Sequence, residues 1–84
     1  MLGVMDLLFI EVNSEAAHVV YRLADHHRQR GAYIVLAGSH VTSYPEEALR
    51  HADTILIGPR EEAWARFLIE FQLGLERRVY AQTH

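Results

Sequence analysis

The chain has 84 residues, half of them apolar and 23% charged, which is the balance of a single small folded domain rather than a disordered segment. A formal net charge of −3 gives no electrostatic reason to expect nucleic acid, and no apolar run approaches the roughly 18 to 20 residues that span a bilayer. With no Cys there is no disulfide, thiolate metal site or iron–sulfur cluster, and with no Lys there is no Schiff base or P-loop lysine.

The start, Met1 to Asp6, lacks a basic region and a cleavage site, so a secretory signal is not expected and the expected address is cytoplasmic. Asp6 to Val12 reads as a strand that is apolar on both faces, the mark of a parallel sheet covered by helices on both sides. Asn13 or Ser14 then offers an N-cap. Ala16, Val19, Val20 and Leu23 recur at i, i+3, i+4, i+7 and predict the buried stripe of a long helix, which Gly31 stops as a left-handed cap.

Tyr33 to Ala37 is the second strand. Gly38 to Tyr44 reads as a loop with three hydroxyls (Ser39, Thr42 and Ser43) and one imidazole (His40), and Pro45 to Arg50 as a short helix with Pro at its first position. Thr54 to Ile57 is the third strand, and Gly58-Pro59-Arg60 a tight turn into a helix. Trp64, Phe67, Leu68 and Phe71 form that helix's core stripe, and Gly74 ends it. Arg78 to Tyr80 is a short last strand, and Ala81 to His84 a loose tail. The order β-α-β-α-β-α-β predicts a small parallel sheet of three to four strands with flanking helices and right-handed crossovers.

The residues Gly38-x-His40-x-Thr42-x-x-Pro45-Glu46-Glu47-Ala48-Leu49, then Ala52-Asp53, then Ile57-Gly58-x-x-Glu61 carry a family resemblance. Over Asp6 to Tyr80 the chain resembles the cobalamin (B12)-binding domain that precedes the catalytic barrel of many radical S-adenosylmethionine (radical SAM) enzymes. That domain typically reads Gly-Gly-x-His-x-Thr-x-x-Pro-Glu-Glu-x-Leu after one strand and Asp-x-hydrophobic-hydrophobic-x-Gly-Glu-Gly-Glu around the next. Here the paired glycines appear as Ala37-Gly38, and Gly-Glu-Gly-Glu as Gly58-Pro59-Arg60-Glu61. The Asp-x-His-x-x-Gly motif that supplies an axial His in other cobalamin proteins is absent, and no Cys-x-x-x-Cys-x-x-Cys follows. The resemblance implies a Rossmann-like, flavodoxin-like domain over residues 1–84, truncated by one N-terminal β-α-β unit and without the radical SAM module.

In such a sheet the carboxyl ends of the strands bring Glu11, Asn13, Ser39, His40, Thr42, Pro59 and Arg60 to one rim, the usual ligand position. The resemblance makes Gly38, Ser39, His40, Thr42, Gly58, Arg60 and Glu61 the expected cofactor-binding residues, bordering the corrin ring and its nucleotide tail. The competing reading is that Glu11 pairs with Arg60 while the hydroxyls cap the next helix. No catalytic residue and no metal ligand is expected. His40 has no fixed partner, and His18, His26 and His27 lack the i, i+4 spacing of helical zinc sites. Trp64, Phe67 and Phe71 are core.

Two functions follow. One is a non-catalytic cobalamin-binding-like module, accessory to a separately encoded radical SAM-type enzyme. The alternative is a degenerate domain kept for homodimerisation or protein–protein contact without a small ligand. An independent enzyme is the least supported reading, since no nucleophile–base pair is visible. Truncation would leave Asp6 to Val12 as a bare edge with no Pro or Lys to blunt it, so pairing of two copies through that strand is expected.

Overall fold

The computed structural model describes residues 6–81, and for Arg60 its backbone only. The elements are β1 (Leu7–Glu11), α1 (Ala17–Gln29), β2 (Tyr33–Ala37), α2 (Ser39–Ser43), α3 (Pro45–Leu49), β3 (Thr54–Ile57), α4 (Arg60–Gln72) and β4 (Val79–Ala81). Every strand pair is parallel, in the order β1-β2-β3-β4, with Leu7 opposite Tyr33, Val35 opposite Thr54 and Ile55 opposite Val79. This is the expected Rossmann-like, flavodoxin-like α/β architecture, and β1 lies at an edge of the described sheet.

Because side chains alternate across a strand, the apolar runs supply two cores. Ile34, Leu36 and Ile55 face α1, α2 and α3 together with Val12, Tyr21, Ala24, Val41 and Ala48. Val35, Ala37 and Leu56 face α4, where Phe67 and Ala63 are fully buried and Trp64, Leu68 and Phe71 pack around them. The aromatic stripe of α4 is core, as its spacing predicts. Phe9 meets Trp64 with ring centroids 4.8 Å apart at the margin of this second core, so its packing continues up to β1.

The buried polar groups of the sheet are satisfied in a chain. Tyr33 Oη–H donates to Thr54 Oγ1 (2.6 Å), and Thr54 in turn donates to the carbonyl of Arg77 (2.7 Å). At the amino end of β2, Asp53 accepts the Ile34 N–H (2.8 Å) and the Nε–H of Arg28 (3.1 Å), which ties α1 to the sheet far from the strand ends that form the rim.

Three expectations change. The stripe Ala16, Val19, Val20, Leu23 is not the buried face of α1. Ala17, Tyr21 and Ala24 are buried, whereas Val19 is 63% and Leu23 46% exposed. The contact with α3 and the turn after it rotates the helix, because the Tyr21 hydroxyl and Asp25 carboxylate find partners there, Glu47 and His51, that an apolar count does not register. Asn13 does not cap α1 itself. Its Oδ1 accepts the Ala16 N–H (2.9 Å) and closes a turn before the helix starts. Most consequentially, the stretch after Gly38 is not a loop but the one-and-a-half-turn helix α2. Strand and helix limits otherwise differ by a residue, as for β4 and α3. Residues 82–84 of the expected tail lie outside the described residues.

Candidate functional site

Gly38 leaves β2 with φ 115°, a conformation that L side chains rarely adopt. A Cβ there would stand 2.6 Å from the Val12 carbonyl oxygen and 3.0 Å from the Val12 nitrogen. The close approach is therefore to the end of β1, which α2 must cross in contact: the Val12 carbonyl also accepts the His40 N–H (3.2 Å). Gly58 is different. Its φ of 80° demands glycine, yet a Cβ there would meet nothing within 4 Å, so its exposed side is open space.

Between these two turns lies an open groove of about 590 Å³ at the carboxyl ends of the strands, lined by Glu11, Gly38, Ser39, Thr42, Ser43, Gly58, Pro59 and Glu61. The helical geometry of α2 explains which of its residues reach it. Ser39, Thr42 and Ser43 stand at i, i+3 and i+4, one face of a helix, while Val41 turns into the core. Thr42 Oγ1 also accepts the Gly58 N–H (3.0 Å), so the same face that lines the groove locks the β3–α4 turn to α2.

His40 falls on another face. Its Nε2–H donates to Glu47 Oε2 (2.7 Å), and its Nδ1 shares a hydrogen bond with the Ser14 hydroxyl (3.0 Å), so the imidazole is held between the β1–α1 turn and α3. Tyr21 donates its hydroxyl to the same Glu47 oxygen (2.9 Å) and stacks on His51 (centroids 4.3 Å), which bonds the Asp25 carboxylate (2.9 Å). Tyr21, His40, Glu47 and His51, with Ser14, His18 and Arg50, surround a separate cavity of about 350 Å³. Hydrogen bonds from His40 and Tyr21 hold the Glu47 carboxyl below its ordinary pKa, and burial, followed by the Glu47 contact, raises that of Tyr21.

Of the expected site residues, Gly38, Ser39, Thr42, Gly58 and Glu61 converge on the groove and His40 does not. The Arg60 side chain, and with it the expected Glu11–Arg60 pair, lies outside the described residues. Tyr44 does not fill the groove. Its ring packs against that of His40, tilted by 37° with centroids 4.8 Å apart, and lines a shallow hollow beside Pro45 and Arg50. Ser43 belongs to the groove although sequence reading did not select it, and the i, i+3, i+4 spacing of Ser39, Thr42 and Ser43 was the signal. No comparable spacing pointed to the Tyr21–Glu47–His51 cluster. Among the described residues no three His, Asp or Glu are placed to hold a metal ion, and no helix is long and apolar enough to cross a membrane.

No family model matches the chain. It is 38% identical over 66 residues to the bacteriochlorophyllide d C-8(2)-methyltransferase of Chlorobaculum tepidum, covering 79% of this chain and 15% of that protein. It is 27% identical over 79 residues to the bacteriochlorophyllide d C-12(1)-methyltransferase of the same organism, covering 94% of this chain and 17% of that protein. The chain thus spans less than a fifth of the length of these relatives. The N-terminal domain of a hypothetical protein of Thermotoga maritima, a crystal structure, has the same fold with a TM-score of 0.75 at 23% identity, over 90% of this chain and 61% of that one.

Proposed function

We propose that this chain is a non-catalytic module that seats cobalamin, or a ligand of the same class, along the groove between the Gly38 and Gly58 turns. The observation that carries the reading is the groove itself: it is open, it sits at the carboxyl ends of β1 to β3, and hydroxyls and carboxylates line it. Such acceptors suit a ligand edged with primary amides, as a corrin is. Its volume lies within the range of about 300–1,000 Å³ of ordinary ligand sites, so a molecule as large as a corrin would rest one edge in it rather than be enclosed. Ser39, Thr42, Ser43, Glu11 and Glu61 would hold that edge, and the bare side of Gly58 would admit it.

Bound cobalamin supplies methyl-carrying chemistry, which agrees with the methyltransferases among the chain's relatives. The chain's own part is to hold and orient. His40 is committed to Glu47 and Ser14 and does not line the groove, so it would not be among the residues that hold the cofactor. An enzyme using the cofactor would be a separate partner or a further part of a longer chain.

The test is to mix purified protein with hydroxocobalamin, desalt, and record the absorption spectrum. Retained corrin with the spectrum of the free cofactor is expected, unchanged in His40→Ala and abolished in Ser39→Trp, which fills the groove from an exposed position. A folded protein that retains no corrin would overturn the reading. The second reading, self-association without a ligand, is favoured by the apolar side chains that α1 leaves exposed.

A further inference from the structure

The cavity beside His40 holds a hydroxyl, an imidazole and a carboxylate that the groove does not use, and they stand in a relay. Ser14 Oγ is 3.0 Å from His40 Nδ1, and His40 Nε2 is 2.7 Å from Glu47 Oε2. Hydrogen bonds from His40 and Tyr21 keep Glu47 ionised at neutral pH, and an ionised carboxylate can only accept. In the neutral ring Nε2 therefore carries the proton, and Nδ1 is left as a base facing the Ser14 hydroxyl. All three side chains line the cavity of about 350 Å³. Ser14 is exposed, as a nucleophile must be, whereas the His40 side chain is only 12% exposed. Tyr21 Oη–H donates to the same Glu47 oxygen, so the carboxylate that orients the ring is itself held. Ser14 and His40 lie 26 positions apart, which is why the pair is invisible in the sequence and only the packing of α1 against α2 and α3 assembles it.

We infer that Ser14, His40 and Glu47 form a hydrolytic site for small carboxylic esters, separate from the groove and independent of the ligand proposed for it. Ser14 is the nucleophile, His40 the general base, and Glu47 the positioning residue that holds the ring. Ser14 Oγ attacks the ester carbonyl carbon while its proton passes to His40 Nδ1, which gives a tetrahedral oxyanion and an imidazolium paired with Glu47. The oxyanion collapses, the C–O bond to the alcohol breaks, and His40 Nδ1–H returns the proton to the departing alkoxide. Water then attacks the acyl group on Ser14 by the same route, which releases the acid and restores the hydroxyl. Positive charge for the oxyanion is at hand, since Arg50 lines the cavity. So do Ala17 and His18, the first two residues of α1, whose amides have no acceptor within the helix and point back towards the turn that carries Ser14. The volume is at the low end of the range of about 300–1,000 Å³ for ligand sites, which suits a short acyl group rather than a lipid chain.

The full chain is mixed with p-nitrophenyl acetate, and nitrophenolate release and intact mass are followed together. Hydrolysis faster than that by free imidazole is expected, with an acetyl group located on Ser14 by peptide mapping and a fluorophosphonate probe attached to the same residue. Ser14→Ala, at an exposed position, is expected to keep the wild-type circular dichroism, to lose both adducts and to turn over about 100-fold more slowly or worse. Glu47→Gln should lower kcat about 10-fold or more with KM unchanged, a split that loss of folded protein would not produce. A Ser14→Ala variant that hydrolyses the ester as wild type does, acetylation of a histidine in place of Ser14, or a folded wild-type chain that is neither labelled nor faster than imidazole would each overturn the proposal. Corrin retention is measured on the same preparations, so failure of this site and failure of the groove are distinguishable.

Discussion

The groove and the His40–Glu47 cluster both draw on the thirteen residues Ala37 to Leu49, and they differ in what their polar atoms do. In the cluster, His40, Glu47, Tyr21 and Ser14 bond one another and join three segments distant in sequence. On the groove side, Ser39, Thr42 and Ser43 stand exposed, and the Thr42 bond to Gly58 ties that face into the fold. One short helix thus divides a single motif into a part that holds the structure and a part whose hydroxyls line an open groove. Neighbouring polar residues in one motif do not thereby share one site. The most reactive side chain in the motif, His40, is on the structural side.

This division can be broken most strongly at its pivot. Gly38→Ala forces a Cβ to 2.6 Å from a backbone oxygen at a positive φ, and is expected to cost about 2–4 kcal/mol, a fall in Tm of upwards of about 10 °C for a domain this small. Gly58→Ala shares the positive φ but meets no atom, so its cost is expected to be about 1 kcal/mol. Thermal melts of the two variants side by side check this, and equal losses would mean that the contact with Val12 is not what fixes Gly38.

Smaller effects sharpen the contrast. Tyr21→Phe removes the hydroxyl bond to Glu47 and is expected to cost about 1 kcal/mol with corrin retention unchanged. Because burial raises the pKa of Tyr21, Tyr33 and Tyr80, the folded state holds their protons more tightly. That contribution is complete below the ordinary tyrosine value of 10 and is lost as pH rises through the raised folded values, so stability should fall above pH 10, less steeply in Tyr21→Phe. Thr42→Val, at an exposed position, is expected to cost about 0.5–1 kcal/mol but to speed exchange of the Gly58 amide and weaken ligand retention, which ties its effect to the groove.

The smallest effect is in acid. The Glu47 carboxyl has a lowered folded pKa, so its contribution is whole above the ordinary value of 4.5 and disappears as pH falls through the lowered one. Glu47→Gln should flatten the acid limb of a stability–pH curve and leave the neutral plateau's shape unchanged. An unaltered acid limb would show that the His40 and Tyr21 bonds do not favour the ionised form.

Sequence alone determined the strands, the crossover helices and the aromatic face of α4, because fully apolar runs and helical spacing report burial directly. It also placed Gly38 and Gly58, since a strand that must turn sharply into a helix leaves few alternatives to glycine. It did not determine the orientation of α1, where Tyr21, Asp25 and Arg28 chose the face by bonding residues some 25 positions away. Nor did it determine the division of the Gly38–Leu49 motif. Whether Ser39, His40 and Thr42 share a site depends on α2 being helical, and that helix is held by the Val12 carbonyl at the end of another strand. Local pattern decides which elements form, whereas contacts between elements decide which way each one faces, and the groove exists only by the second.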